Sequence, residues 1–236
     1  MLKPFSKDFI NLLNDRIFIS KVRDKYHFEE SQYEEMLMVA SDMSKRVRDD
    51  VEKGRAGWTH QLDFLMDQKL HDSANETVVC ITLGEGLDRL QEEYREENSL
   101  LKEYMVEAIA SELLMASYPK WNRQVKDSYN RSVRRYHFWG SEDKYPLEGI
   151  PEALRLTGNP IECNETYCLI PKKSVIFVAE LSPVGEEAEC AGVCTSCQNT
   201  SCDNRIKGNI MKDNPLDNLP DLRISYGLSQ IFGGKT

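Results

Sequence analysis

The sequence predicts an α+β protein, and three observations carry this. Apolar residues recur at helical spacing over residues 31–52. A second helical stretch runs from about Gly86 to Val125. Short β-branched runs, TVVCITLG in mid-chain and IECNETYCLI and KSVIFVAEL later, interrupt the helical pattern. Helices come first and then strands and helices mix, the order of an α+β domain rather than of repeated βα units.

Each element has its own justification. Ser31 and Glu34 form an S-x-x-E capping box. Tyr33, Met36, Leu37, Ala40, Met43, Val47 and Val51 then mark one apolar face, with Glu34, Glu35, Asp42, Lys45, Arg46 and Asp49 opposite. Both methionines of LMVASDM, Met38 and Met43, are assigned to the core. Leu62, Leu65, Met66 and Leu70 predict a short helix over 59–70. TVVCITLG reads as a buried strand ended by Gly84, with Cys80 as a small buried hydrophobe. The following helix carries Leu101, Met105, Ala108, Ile109, Leu113 and Ala116 as one stripe, with the acidic run Gln91–Asn98 as its solvated face or its entry turn. Pro119 marks the approach of its end. EALRLTG predicts a short helix closed by Gly158. IECNETYCLI and KSVIFVAEL, joined around Pro171 and Lys172, predict an antiparallel strand pair.

The 236 residues suit one domain with appendages, and the formal charge of -9 argues against nucleic acid as a partner. The N-terminus lacks a signal-peptide core and no run approaches the roughly 18 apolar residues of a membrane span. A cytoplasmic protein is therefore expected, with no membrane partner. The one basic segment, RQVKDSYNRSVRRYHFWG, suits either an acidic partner or a phosphate-bearing ligand, or else a solvated helix end beside a buried aromatic cluster.

The cysteines are the sharpest chemical signal. Of seven, Cys190, Cys194, Cys197 and Cys202 fall in one short run with the spacing C-x3-C-x2-C-x4-C. Structural zinc more often uses two separated C-x2-C turns, whereas a single compact run is the habit of ferredoxin-like loops. The spacing therefore favours a 4Fe-4S cluster, with zinc as the alternative. Cys163 and Cys168, five apart across a turn, are further candidates for redox chemistry or ligation. His27, His60, His71 and His137 show no metal-site spacing, and Gly84-Glu85-Gly86 lacks the remainder of a dinucleotide fingerprint.

Four segments occur in the order of one known domain: VVCITLGEGLDRLQEEY, LLKEYMVEAIASELLMAS, RRYHFWGSEDKYPLEGIPEALRLTG and ETYCLIPKKSVIFVAEL. With Thr82–Gly84 after the strand and Pro171, Lys173 and Ser174 before the last one, residues 76–183 resemble the reactivation domain of cobalamin-dependent methionine synthase and its stand-alone relatives. The resemblance implies a twisted antiparallel sheet with flanking helices, S-adenosylmethionine binding, and docking over a partner's corrinoid to return inactive Co(II) to Co(I). It divides the chain into a helical cap (1–75), the activation-like domain (76–183) and a cysteine-rich loop with an extended tail (184–236). Arg135, Gly140, Pro146 and Leu147 can be matched to the family's ligand loop, whose Gly-Tyr pair is absent here while Phe138 and Trp139 stand nearby. The candidate cofactor-binding set is Arg135, His137, Gly140, Tyr145, Lys173 and Ser174. Cys194, Cys197, Cys202 and Arg205 match a C-x2-C-x4-C-x2-R ending of stand-alone members.

The expected function is reductive reactivation of a corrinoid methyltransferase system. Its partners would be a corrinoid protein or cobalamin-dependent methyltransferase and an electron donor such as flavodoxin or ferredoxin. Two alternatives remain open: an S-adenosylmethionine-dependent methylating activator with a structural metal, and a non-enzymatic module binding a corrinoid or tetrapyrrole.

Overall fold

The structure, a computed structural model, describes residues 2–60, 76–158 and 160–184. Three helices open the chain: α1 (Lys7–Ile10), α2 (Arg16–Lys25) and α3 (Tyr33–Glu52). Ser6 and Asp15 cap the first two, each side chain accepting a backbone N–H of the first turn. The box before α3 forms from Glu29 and Gln32 rather than from Ser31 and Glu34. The Glu29 N–H donates to Gln32 Oε1 at 2.9 Å, and Ser31 is drawn into this turn by donating to Glu29 at 3.2 Å. The predicted apolar face of α3 holds, with Met36, Ala40, Met43 and Val47 all buried. Met38 is the exception. It lies off that stripe and is 60% exposed.

Strands β1 (Gly57–His60), β2 (Glu76–Thr82), β3 (Arg131–Phe138) and β6 (Ser174–Pro183) form one antiparallel sheet in the order β1-β2-β6-β3. Strands β4 (Glu162–Cys163) and β5 (Leu169–Ile170) make a separate two-stranded hairpin. Two expectations change here. Residues 59 and 60, predicted helical, belong to β1, where Thr59 and His60 pair with Cys80 and Val79; residues 61–70 lie outside the described residues. IECNETYCLI does not pair with KSVIFVAEL. It folds back on itself around Asn164, whose side chain accepts the N–H groups of Thr166 and Cys168. That frees β6 to take β2 and β3 as neighbours.

The helical region after β2 is two helices, α4 (Gly86–Glu96) and α5 (Leu100–Tyr129). Asn98 breaks it in a left-handed conformation (φ 56°), after which the chain turns so that α4 and α5 pack side by side. Pro119 does not end α5. The proline removes one helical hydrogen bond, but Trp121, Val125 and Tyr129 beyond it are buried, and this apolar packing carries the helix ten residues further. Helix α6 (Ile150–Thr157) ends at Gly158 in the left-handed conformation, as expected.

One face of the sheet carries Val79, Ile81, Phe177, Ala179 and Tyr136 and shares a single core with α3 and α5. Phe9, Phe18, Ile19 and Met43 belong to that same core, so helices α1, α2 and α3 pack directly on the sheet domain. The other face carries Cys80 and Ile176, covered by α6 and the β4–β5 hairpin. Cys80 is fully buried, as its apolar run predicts.

Candidate functional site

Alternation along the strands puts Glu76, Val78, Cys80 and Thr82 of β2 on the α6-covered face, with Ser174, Ile176, Val178 and Glu180 of β6 beside them. Glu76 and Glu180 are direct cross-strand partners. Two like charges in that relation repel, so cations must be supplied. Lys144 donates to Glu76 at 2.8 Å, and this bond holds the Lys144 ammonium above its ordinary range. Arg134 reaches Glu180 at 3.6 Å. The ladder slips by one residue between Val133 and Arg135, and Arg134 is the extra residue of this bulge.

His137 is the centre of the group. It is buried, with Nδ1 3.0 and 3.1 Å from the two Glu142 oxygens and Nε2 3.6 Å from Glu180. Its ring lies 5.3 Å from that of Tyr145, whose hydroxyl donates to Glu76 at 3.5 Å. The turn that brings Glu142 and Tyr145 here is closed by Gly140 N–H to Tyr145 O at 2.7 Å and Tyr145 N–H to Glu142 O at 2.9 Å. Gly140 has φ 79°, and a side chain there would meet Leu147 at 2.7 Å. Trp139 likewise lies against Gly149 and packs edge-on to Tyr145. Leu147 and Trp139 thus take up the space over both glycines. Arg135 stands opposite Glu180 across the ladder and is exposed.

Arg135, His137, Gly140 and Tyr145 are therefore brought together, while Lys173 and Ser174 are not. Ser174 lies six residues from Glu180 along β6, about 20 Å at strand rise. There it pairs with Thr82, donating to the Thr82 hydroxyl at 2.8 Å, while Leu83 N–H donates to Lys173 O at 2.9 Å. The Thr82–Gly84 and Pro171–Ser174 motifs, 92 residues apart at Thr82 and Ser174, are thus immediate sheet neighbours. Lys173 itself turns to the helical side, where its ammonium donates to Glu107 and, at 3.0 Å, to Ser111 of α5. Beside this end of the sheet is an open cleft of about 300 Å³ between Arg55, Glu85, Ile161, Ile170 and Pro171.

The Lys173–Glu107 pair gives a testable pH dependence. Burial pushes the Glu107 carboxyl up, but the Lys173 ammonium and a bond from Gln91 outweigh it and hold the group below its ordinary value of 4.5. A depressed carboxylate contributes stability that is present above the unfolded pKa and lost as pH falls through the folded one. Glu107→Gln is thus expected to flatten the decline in urea midpoint below about pH 4.5. An acid limb identical to that of the parent protein would contradict this.

The sequence-predicted metal ligands Cys190, Cys194, Cys197 and Cys202 lie outside the described residues, as does Arg205. Among the described residues no three His, Cys, Asp or Glu side chains are arranged to hold a metal. Cys163 and Cys168 are free thiols: Cys163 is half-buried against the α6-side cluster, and Cys168 is exposed beside the Thr166 hydroxyl. Glu76, Glu142 and Glu180 were not singled out from sequence. The alternation of β6 places Glu180 on a defined face, but only its pairing with β2 and β3 brings it to Glu76 and His137.

The fold and this group define an α+β protein with a histidine–carboxylate cluster on one sheet face. Neither a protein-family model nor a curated protein matches the chain. No helix among the described residues is long and apolar enough to cross a membrane.

Proposed function

We propose that this protein is a redox accessory protein that reactivates a corrinoid methyltransferase system by one-electron reduction of Co(II). The observation that carries the reading is the run Cys190-x3-Cys194-x2-Cys197-x4-Cys202, four thiolates spaced to hold one 4Fe-4S cluster. Such a cluster supplies a single low-potential electron when bound, its potential tuned by burial and hydrogen bonds to sulfur. The balance is one electron in from an external carrier such as flavodoxin or ferredoxin, and one out to the partner's Co(II), which becomes Co(I). The resemblance of residues 76–183 to a reactivation domain supplies the substrate class. The adjacency of its two motifs, Thr82–Gly84 and Pro171–Ser174, in the sheet accords with it. Reduction is favoured over S-adenosylmethionine-dependent methylation because the family's Gly-Tyr pair is absent from the matched loop, where Trp139 instead lies against Gly149.

The test is anaerobic purification of the whole chain. About four irons per chain, visible absorbance and a paramagnetic signal on reduction are expected, all lost in Cys197→Ser. With a reductant and a cobalamin-dependent methyltransferase, Co(II) absorbance should give way to Co(I). Stoichiometric zinc, or no metal at all, would refute the redox reading. A loaded cluster that leaves Co(II) unchanged would refute the choice of substrate.

A further inference from the structure

The cleft beside the Ser174 end of the sheet takes no part in the proposed function, and three stretches of chain far apart in sequence build it. Arg55 follows α3, and Glu85 stands in the turn between β2 and α4. Pro160, Ile161 and Glu162 lead into the β4–β5 hairpin, and Ile170 and Pro171 lead out of it. Backbone bonds hold these walls in place. The Arg55 N–H donates to Asp50 O at 2.7 Å, Glu162 is the ladder partner of Ile170, and the Lys172 N–H donates to Asp88 of α4 at 2.9 Å. At about 300 Å³ the cleft has the size of a small ligand-binding cavity.

Its lining has an apolar side and a charged side. The apolar side is aliphatic, two prolines with the buried Ile161 and the 51% exposed Ile170. None of the lining residues is aromatic, so the cleft has no ring face for a quaternary ammonium. On the charged side the arginine is already engaged. Arg55 meets Asp50 at 2.6 Å, Glu85 at 3.2 Å and Asp49 at 3.3 Å. Glu85 also meets Arg89 at 2.6 Å, and Asp49 meets Lys53 at 2.7 Å. These three carboxylates and three cations balance one another. Glu162 stands outside the network, exposed and without a cation partner among the described residues. Lys172, next to Pro171, acts on Asp88 and Glu107 and does not line the cleft.

The uncompensated charge of the cleft is therefore negative, in a chain of net charge -9. An anion would have to displace a carboxylate from Arg55 and would face Glu162. A primary ammonium is complementary, since it brings three donors and no acceptor. Cross-strand partners present their side chains on one face of a ladder, so the Glu162 carboxylate stands beside the Ile170 side chain. A charge and an aliphatic surface side by side suit a ligand with a charged head on an apolar stem. We infer that the cleft binds a primary ammonium on a short aliphatic chain, with Glu162 as its counter-charge and Ile161, Ile170, Pro160 and Pro171 as the bed of the chain. This does not rest on the redox reading.

The test is amide-resolved NMR of the full chain, titrated with pentylamine at about pH 7, where the amine is an ammonium. Pentanoate reverses the charge on a similar chain, and methylamine keeps the charge without the chain. Pentylamine should shift the amides of Arg55, Glu85, Glu162 and Ile170 saturably, and methylamine should bind at least about tenfold more weakly for want of four methylenes. Pentanoate should leave these amides in place. Glu162→Gln and Ile170→Ser, both at exposed side chains, should each weaken pentylamine at least about threefold while circular dichroism stays unchanged. Nα-acetyl-lysine methylamide presents the same ammonium as a side chain. Binding at least as tight as that of pentylamine assigns the cleft to the lysine of a partner protein, and weaker binding assigns it to a free amine. No saturable shift at these residues, equal binding of pentanoate or methylamine, or indifference to Glu162→Gln would overturn the proposal.

Discussion

Phe177→Ala is expected to lower stability by about 3–5 kcal/mol, the range for deleting a fully buried aromatic ring. Phe177 has no exposed surface and sits at the middle of β6. Its ring contacts Tyr118 (5.3 Å between centroids), Trp121 (5.5 Å), Tyr136 (5.2 Å) and Phe138 (5.8 Å). One side chain thus joins the long helix α5 to both β3 and β6. Rings of this size cannot collapse into the hole without leaving their rotamers, so the cavity persists and its cost adds to the lost transfer energy. A chain of this length should lose roughly 10 °C in thermal midpoint. Phe177→Leu, which keeps much of the volume, should lose less than half as much. A drop under about 1 kcal/mol for the alanine variant would mean that these four contacts do not share one rigid core.

The second large effect falls on Asp50, a buried acid in the last turn of α3. It has no exposed surface. Its Oδ2 accepts the Gly86 N–H at 2.6 Å, and its Oδ1 takes the Arg55 guanidinium at 2.6 Å. It thereby fastens α3 to the turn between β2 and α4. Gly84 in that turn has φ 85°, and a side chain on it would come within 2.3 Å of Asp50 Oδ2. The glycine is needed both for its backbone and for the carboxylate's approach. Asp50→Ala leaves a buried N–H without an acceptor and strips Arg55 of its closest partner, at a cost of about 3 kcal/mol. Asp50→Asn keeps an acceptor for Gly86 and should lose about half of that. Arg55→Ala should cost least, because Arg89 still faces Asp50 at 3.7 Å and the Gly86 bond survives. Urea unfolding of the three variants checks the order. Equal losses for Asp50→Ala and Arg55→Ala would show that the ion pair, not the backbone bond, holds the turn.

Much of the architecture was legible because its signals are local. The apolar stripe of α3, the β-branched run of β2 and the glycine closing α6 each depend on a few neighbouring residues, and each appears where the pattern puts it. The misses share a cause. Met38 follows helical residues yet faces solvent, because the stripe of α3 is narrower than its hydrophobic content. Pro119 is a helix breaker by local rules, but the buried Trp121, Val125 and Tyr129 override it. The hairpin at Asn164 arises from one side chain capturing two backbone N–H groups, a contact that periodicity does not reveal.

The candidate site divides in the same way. Sequence alone determined the class of fold, the buried stripe of α3, and the four-cysteine run on which the redox proposal rests, since ligand spacing is a property of the chain itself. It also put Arg135, His137, Gly140 and Tyr145 in one stretch, close enough along the chain to meet. Only the tertiary structure decided that Glu76 and Glu180 join them, that Lys173 turns to α5 instead, and that Tyr136 is buried while its neighbours Arg134 and Arg135 are exposed. Strand register is the physical reason. A shift of one residue between β2, β6 and β3 would carry every one of these side chains to the other face of the sheet. That register is set by burial of Phe177, Val79 and Tyr136 against helices distant in sequence.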